Sequence, residues 1–269
     1  MVQKKSLGQN FLTDKGILKK IADFAQIEKT DTVVEVGPGQ GSLTELLLES
    51  AEKVIAIEKD EKLAELLKEK FAEEIKKGKL EIVCRDILDA NIFPSQAQKY
   101  ILVGNIPYYI TGALFKKALE SENPPKSITF VVQKEVAERI IAKDGKESIL
   151  SISIKAYGKP YFGGIIKAGS FNPKPKVDSA IISIRNITPL APRSVRVFPR
   201  LTLRGEEKIQ NFDKKFFEIL KKGFSHKRKL LIKNLETTEE IFEKCGIPEK
   251  ARAENLKVED WMSLTKSLL

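Results

Sequence analysis

Short apolar, β-branched runs recur through the first two thirds of the chain: residues 32–36 (TVVEV), 53–57 (KVIAI), 80–84 (LEIVC), 100–104 (YILVG), 127–132 (SITFVV), 151–157 (SISIKAY) and 180–184 (AIISI). Between the early runs the apolar spacing becomes that of a helix. SLTELLLES follows the first run. EKLAELLKEKFAEEIKK follows the second, with Leu63, Leu66, Leu67, Phe71 and Ile75 on one face. Strands alternating with helices predict a parallel sheet with helices on both faces. The last two runs have no long helix between them, which predicts an antiparallel pair at one edge.

From about residue 186 this rhythm stops. NITPLAPRSVRVFPRLTLRG has three prolines, four arginines and no clear period, and reads as a long connection. Short amphipathic helices are expected after it, at NFDKKFFEILKKG, KRKLLIKNLE, TTEEIFEKCG and VEDWMSLTKSLL. The expected organisation is a catalytic domain over 1–185, with residues 1–30 as an N-terminal lid and helix. A basic irregular connection follows over 186–210, then a helical domain over 211–269.

Composition narrows the function classes. No apolar stretch approaches the ~20 residues that span a bilayer. The basic N-terminus has no apolar run or small-residue cleavage site behind it. The expectation is a cytoplasmic protein. Cys84 and Cys245 are too far apart in sequence to suggest a disulfide framework or zinc site, and each is expected to be a buried reduced thiol. A single histidine, His226, gives no His cluster, so no metal is expected. The net charge of +10 comes from 47 basic and 37 acidic residues, and its distribution is uneven. Residues 214–233 carry eight Lys/Arg against one Glu. That concentration favours a polyanionic partner, with Lys227, Arg228 and Lys229 as candidate RNA contacts, over a merely solvated surface.

The first strand runs into VVEVGPGQGSLTEL, which places Gly37, Gly39 and Gly41 between strand and helix. Glycines there permit a tight turn and close approach of a ligand to the backbone. The Gly-x-Gly-x-Gly spacing differs from the dinucleotide pattern Gly-x-Gly-x-x-Gly, which argues against a nicotinamide oxidoreductase. Glu35 sits just before the first glycine. It disfavours a pyrophosphate and suits a cationic sulfonium, or else caps the loop amides. Glu58 ends the second strand, where a carboxylate takes ribose hydroxyls. Asp86 follows the third, where it can accept from an adenine amine. Three such positions at successive strand ends describe S-adenosylmethionine.

On these residues the sequence resembles the ribosomal RNA adenine N6-dimethyltransferases, the KsgA family, and most closely its bacterial small-subunit members. The matching stretches are QNFL (9–12), EVGPGQG (35–41), IEKD (57–60), RDILD (85–89), NIPYY (105–109), FNPKPKVDS (171–179) and RAENLKVEDW (252–261). The last separates it from the Erm-type large-subunit enzymes. The resemblance implies an α/β, class I Rossmann-like methyltransferase with a mostly parallel seven-stranded sheet and a small C-terminal helical domain. It implies S-adenosylmethionine as donor, no metal, and a monomer acting on small-subunit rRNA in immature 30S-type subunits. The substrate would be two adjacent adenosines of the 3′-terminal hairpin loop, each dimethylated on N6. A role in subunit assembly goes with it. An Erm-like activity and an assembly factor that acts mainly by binding are the alternatives.

The resemblance also implies that QNFL folds over the donor as a lid. Gln9 and Leu12 would be its contacts, Asn10 and Phe11 would shape the turn, and Asn10 joins the donor-binding set. Lys59 and Ile87 join it beside Glu58 and Asp86. In NIPYY, the Asn105 side-chain carbonyl and the Ile106 carbonyl, whose direction Pro107 fixes, are the candidate acceptors for the N6 protons. Asn105 also belongs to the donor-binding set. Tyr108 offers a stacking face for the extruded base, and Phe171 is the expected second face. Tyr109 is expected to pack.

Overall fold

Sequence stretches that switch between strand and helix periods build one seven-stranded sheet and a set of helices. The computed structural model describes residues 10–89, 93, 99–190 and 202–269, with side chains from residue 212 onward in the last stretch. The elements are β1 (Phe11–Leu12), α1 (Lys15–Phe24), β2 (Thr32–Val36), α2 (Ser42–Ser50), β3 (Lys53–Glu58), α3 (Glu61–Lys70), α4 (Ala72–Lys76), β4 (Leu80–Cys84) and β5 (Tyr100–Asn105). There follow α5 (Thr111–Leu119), β6 (Ser127–Gln133), α6 (Lys134–Ile141), α7 (Ile149–Lys155), β7 (Lys159–Ile166), β8 (Phe171–Asn172) and β9 (Ser179–Arg185). The last elements are α8 (Thr202–Gly223), α9 (Leu231–Leu235), α10 (Glu239–Lys244) and α11 (Val258–Ser267).

The sheet order is β4-β3-β2-β5-β6-β9-β7. Neighbours from β4 to β6 are parallel, and β9 runs antiparallel between β6 and β7. From β2 the chain moves outward to β3 and β4, then returns to lay β5 on the other flank of β2. Ligands of open α/β sheets bind outside the strands' carboxyl ends at such a reversal. Every residue of β2 is buried, as expected of a strand covered on both faces.

The chain divides into two compact units. One comprises the residues up to Ala137 together with Gly158–Ile187; the other comprises Glu138–Tyr157 and Thr188–Leu269. In the first, Leu18 and Ile21 of α1, Leu43 and Leu47 of α2, and Leu67 and Phe71 join Val33, Val54 and Ile101 of the sheet in one apolar core. In the second, Phe216 and Leu220 of α8 and Phe224 just after it are buried, as are Phe242, Trp261 and Leu264. The Phe224 and Trp261 rings stack with centroids 5.6 Å apart.

Several expectations need correcting. SISIKAY is the helix α7, not a strand. Ser148 accepts from the Ser151 amide at 3.1 Å, and the Ser151 hydroxyl accepts from the Ser148 amide at 2.7 Å. This reciprocal cap starts a helix despite the alternating pattern. Residues 138–157 accordingly fall in the second unit rather than within a continuous 1–185 domain. The antiparallel edge is β7 against β9, and Pro160 with the register shift between Phe162 and Gly164 hides that strand in the sequence. The long helix after β3 breaks at Phe71 into α3 and α4, and Leu66 is exposed. Of the connection placed at 186–210, residues 202–210 are helical, within α8, and Arg193, Arg196 and Arg200 lie outside the described residues. Cys84 is exposed and Cys245 only partly buried.

Candidate active site

The carboxyl ends of β2, β3, β4 and β5 border one cavity, lined by Gly37, Gly39, Glu58, Lys59, Asp86, Ile87, Asn105, Pro107 and Tyr108 of the expected site, with Asn10 from the N-terminal segment. The glycine turn sets its floor. Gly37 and Gly39 have φ of 66° and 57°, which L side chains rarely adopt. A Cβ on Gly39 would lie 2.8 Å from the Phe11 ring, so only glycine lets that ring rest on the turn.

Glu58 is held by the backbone around it. One carboxylate oxygen accepts from the Gly39 amide at 3.1 Å and the other from the Asp60 amide at 2.9 Å. Burial raises its pKa, and those amides oppose the rise. A carboxylate has about four acceptor sites, so these amides leave capacity for a hydroxyl. Asp86 accepts from Lys59 Nζ at 2.7 Å and from the Leu88 amide at 2.9 Å. The Lys59 hydrogen bond is the main reason its carboxyl titrates below the usual range. Lys59 is shifted upward by the same contact.

Glu35 does not line the cavity. It lies behind the glycine turn, 1% exposed, and accepts the Thr44 hydroxyl of α2 at 2.6 Å. Burial pushes its pKa up to about 7, against the Thr44 bond and with a smaller push from the Glu58 charge. That bond ties β2 to α2, and Glu35 is not among the residues that line the cavity.

Asn105 ends β5. Its side-chain amide donates to the Asn10 carbonyl at 2.8 Å, which fixes the plane of the carboxamide. Ile106 is buried, and its amide donates to the Val131 carbonyl at 3.2 Å. Pro107 has φ −53° and ψ 129°, and leads into a single 3-10 turn over Tyr108–Ile110. The Tyr108 hydroxyl lies 2.8 Å from Ser179 Oγ at the start of β9.

The N-terminal segment departs from expectation. β1 pairs antiparallel with β8, setting Phe11 opposite Asn172 and Leu12 opposite Phe171. Side chains alternate along a strand, so Phe11 faces the cavity while Leu12 and Phe171 turn into the core. The Leu12 and Phe171 side chains are buried, 6% and 5% exposed, so any contact of Leu12 with a donor would have to come from its backbone. Gln9 lies outside the described residues. Lys227, Arg228 and Lys229 belong to the other unit. They are exposed on the turn between α8 and α9, not on a helix face.

Residues 2–269 match the sequence family described as ribosomal RNA adenine dimethylase. The chain belongs to this family. Curated relatives named ribosomal RNA small subunit methyltransferase A include one from Dehalococcoides mccartyi (strain CBDB1), 38% identical over 97% of this chain and 87% of the relative. Another, from Fusobacterium nucleatum subsp. nucleatum, is 37% identical over 98% and 96%. Among solved structures, a dimethyladenosine transferase from Plasmodium falciparum superposes with a TM-score of 0.75 at 27% identity, covering 94% of this chain and 95% of that one. The 23S rRNA methyltransferase ErmE superposes with 0.74, also at 27% identity, over 96% and 99%. The class I methyltransferase fold is thereby shared with both.

Within this adenine dimethylase, the geometry brings to the site residues to which sequence reasoning gave no ligand role, among them Phe11, Arg85 and Tyr109 on the cavity wall and Ser179 behind Tyr108. Phe11 was readable only from strand alternation, which a two-residue strand is too short to show. Ser179 closes the FNPKPKVDS stretch and carries no signal of its own.

Proposed function

We propose that the protein transfers methyl groups from S-adenosylmethionine to N6 of two adjacent adenosines in the 3′-terminal hairpin loop of small-subunit rRNA, giving N6,N6-dimethyladenosine on immature subunits. The observation that carries this reading is the single cavity that joins a carboxylate wall to the oriented carboxamide of Asn105. The wall suits the donor. Glu58 and Asp86 present acceptors for a ribose diol and an adenine amine, the glycine turn admits close backbone approach, and Ile87 supplies an apolar face. When bound, the donor supplies an electrophilic methyl on a sulfonium.

The residues of NIPYY then have a limited task. The lone pair of an exocyclic adenine amine is delocalised into the ring, and localising it needs acceptors for the N6 protons, held in place in advance. The bond from Asn105 Nδ2 to the Asn10 carbonyl turns Asn105 Oδ1 away from Asn10 and presents it as one acceptor. The Ile106 carbonyl, fixed by the buried strand before it and by Pro107 after it, is the other. The Tyr108 ring, held at its hydroxyl by Ser179, gives the extruded base a wall to stack on, which returns about 1–3 kcal/mol of the cost of leaving the helix.

Greater identity to small-subunit enzymes than to ErmE supports the small subunit as substrate. In the second unit, Asn234 donates to the Gly223 and His226 carbonyls at 2.7 and 3.1 Å and holds the turn that carries Lys227, Arg228 and Lys229. We assign RNA-phosphate contact to these three. Replacing them with alanine should flatten the salt dependence of subunit binding by about one unit of slope for each phosphate no longer neutralised, with donor affinity unchanged. A protein acting on maturing subunits belongs in the cytoplasm.

The test is methylation of small subunits from cells lacking the activity, with modified nucleosides mapped. Two adjacent dimethyladenosines near the 3′ end are expected. Transfer to large-subunit RNA instead would establish the Erm-like alternative.

A further inference from the structure

Tyr108 and Tyr109 are neighbours in sequence and opposites in setting. Tyr108 is half-buried and anchored at its hydroxyl to Ser179. Tyr109 is 65% exposed, equal with Leu269 as the most exposed of the large apolar residues that stand out on the described surface. Both line the mouth of the cavity. Tyr109 adds nothing to the core, and tyrosine, with an apolar ring and a polar hydroxyl, is a residue type enriched at binding surfaces.

The backbone separates the two rings. They sit on a 3-10 turn, where successive side chains are about 120° apart, so they cannot face the same base. The turn itself is firm. The Ile110 amide donates to the Pro107 carbonyl at 3.1 Å, Ile110 is buried, and α5 continues from it. Tyr109 is thus a rigid platform pointing outward beside a site built to receive one extruded base. Lys59, bonded to Asp86, and the exposed Arg85 share the same rim. An exposed ring flanked by cations is the combination that holds unpaired nucleotides: the ring takes a base face, and the cations meet the phosphate.

We infer that Tyr109 is a stacking platform for the unpaired nucleotide adjoining the target adenosine, with Arg85 beside it for the intervening phosphate. The inference rests on the RNA reading proposed above and adds a second base subsite to it. Stacking is tolerant of base identity, so this subsite would hold either of two adjacent adenosines while the other is methylated.

The experiment measures KM and kcat for undermethylated small ribosomal subunits, and calorimetric S-adenosylmethionine affinity, for wild type and for Tyr109→Ala, Tyr109→Leu, Tyr109→Phe and Tyr109→Trp. The expected result is a roughly tenfold rise in subunit KM for Ala and Leu, with Phe and Trp near wild type and donor affinity equal in all five proteins. Leu keeps apolar bulk without a π-face, so recovery by Leu would overturn the stacking role. So would an unchanged KM in Tyr109→Ala. A loss of donor affinity would assign Tyr109 to the donor instead. Failure of the wild type itself to methylate small subunits would reject the proposed function, an outcome distinct from all of these.

Discussion

On the donor side of the cavity, Glu58 bonds to amides 19 and 2 positions away, and Asp86 to a lysine 27 positions away. On the target side, Asn105 reaches back 95 positions to Asn10, and Tyr108 reaches forward 71 positions to Ser179. The donor side is complete once β2, β3 and β4 are in register, because its acceptors are oriented by the turns that end those strands. The target side needs two further elements brought to the end of β5, the β1–β8 pair and the start of β9. Donor binding and methyl transfer should therefore separate under mutation, and the following tests press on that separation.

The largest effect should fall on Asn105. Asn105→Ala removes the proposed acceptor and should slow single-turnover methylation by about 10²–10⁴-fold, a far larger loss than any accompanying fall in donor affinity. Asn105→Asp keeps an acceptor but has no N–H for the Asn10 carbonyl, so its rate should fall between alanine and wild type. Monomethyladenosine should accumulate in both variants, resolved by mass spectrometry. Equal rates for wild type and alanine would place the acceptor elsewhere.

Next is a pH effect on the donor side. Folded Glu35 keeps its proton up to about pH 7, whereas in the unfolded chain it ionises near 4.5. Between those values the folded state binds more protons, so Glu35 makes stability fall as pH rises through the window and adds no further slope above it. The loss is on the order of 3 kcal/mol. Denaturant titrations should show the fall in wild type minus Glu35→Gln, since the variant removes the titration. A flat difference from pH 4.5 to 7 would mean that the carboxyl is charged in the fold.

Glu58→Ala should weaken S-adenosylmethionine binding by roughly 1–3 kcal/mol in calorimetry, because buried donors lose a charged acceptor. It should also lower the Tm, since the Gly39 and Asp60 amides lose theirs. Unchanged donor affinity would break the assignment of this wall.

The smallest effect should come from the Tyr108–Ser179 contact. Tyr108→Phe and Ser179→Ala each remove one neutral hydrogen bond, about 0.5–1.5 kcal/mol. Both should raise KM for the RNA and spare donor affinity, and the double variant should be no worse than either alone. Additive losses would show that the two side chains act independently.

The helix α7 shows where pattern reading fails. SISIKAY alternates like a strand, yet a cap at Ser148 decides its conformation, and that cap pairs two serines instead of the usual Ser/Thr–Glu/Gln pair. Leu12 and Phe171 show a related limit at the site: their motifs do not reveal that β1 and β8 pair and that both side chains join the core.

By itself the sequence determined the strand–helix alternation, the glycine turn and the strand-end carboxylates, because each depends on side-chain type and spacing within a few tens of residues. It also determined that Asn105 and Tyr108 stand at the end of a buried strand, and its motifs pointed to the family. Tertiary structure alone decided which way Phe11, Leu12, Phe171 and Glu35 face. It alone decided what orients the Asn105 carboxamide and the Tyr108 ring, and that Tyr109 is left exposed. Those outcomes rest on hydrogen bonds and pairings between segments far apart in the chain, and no local periodicity encodes their registers.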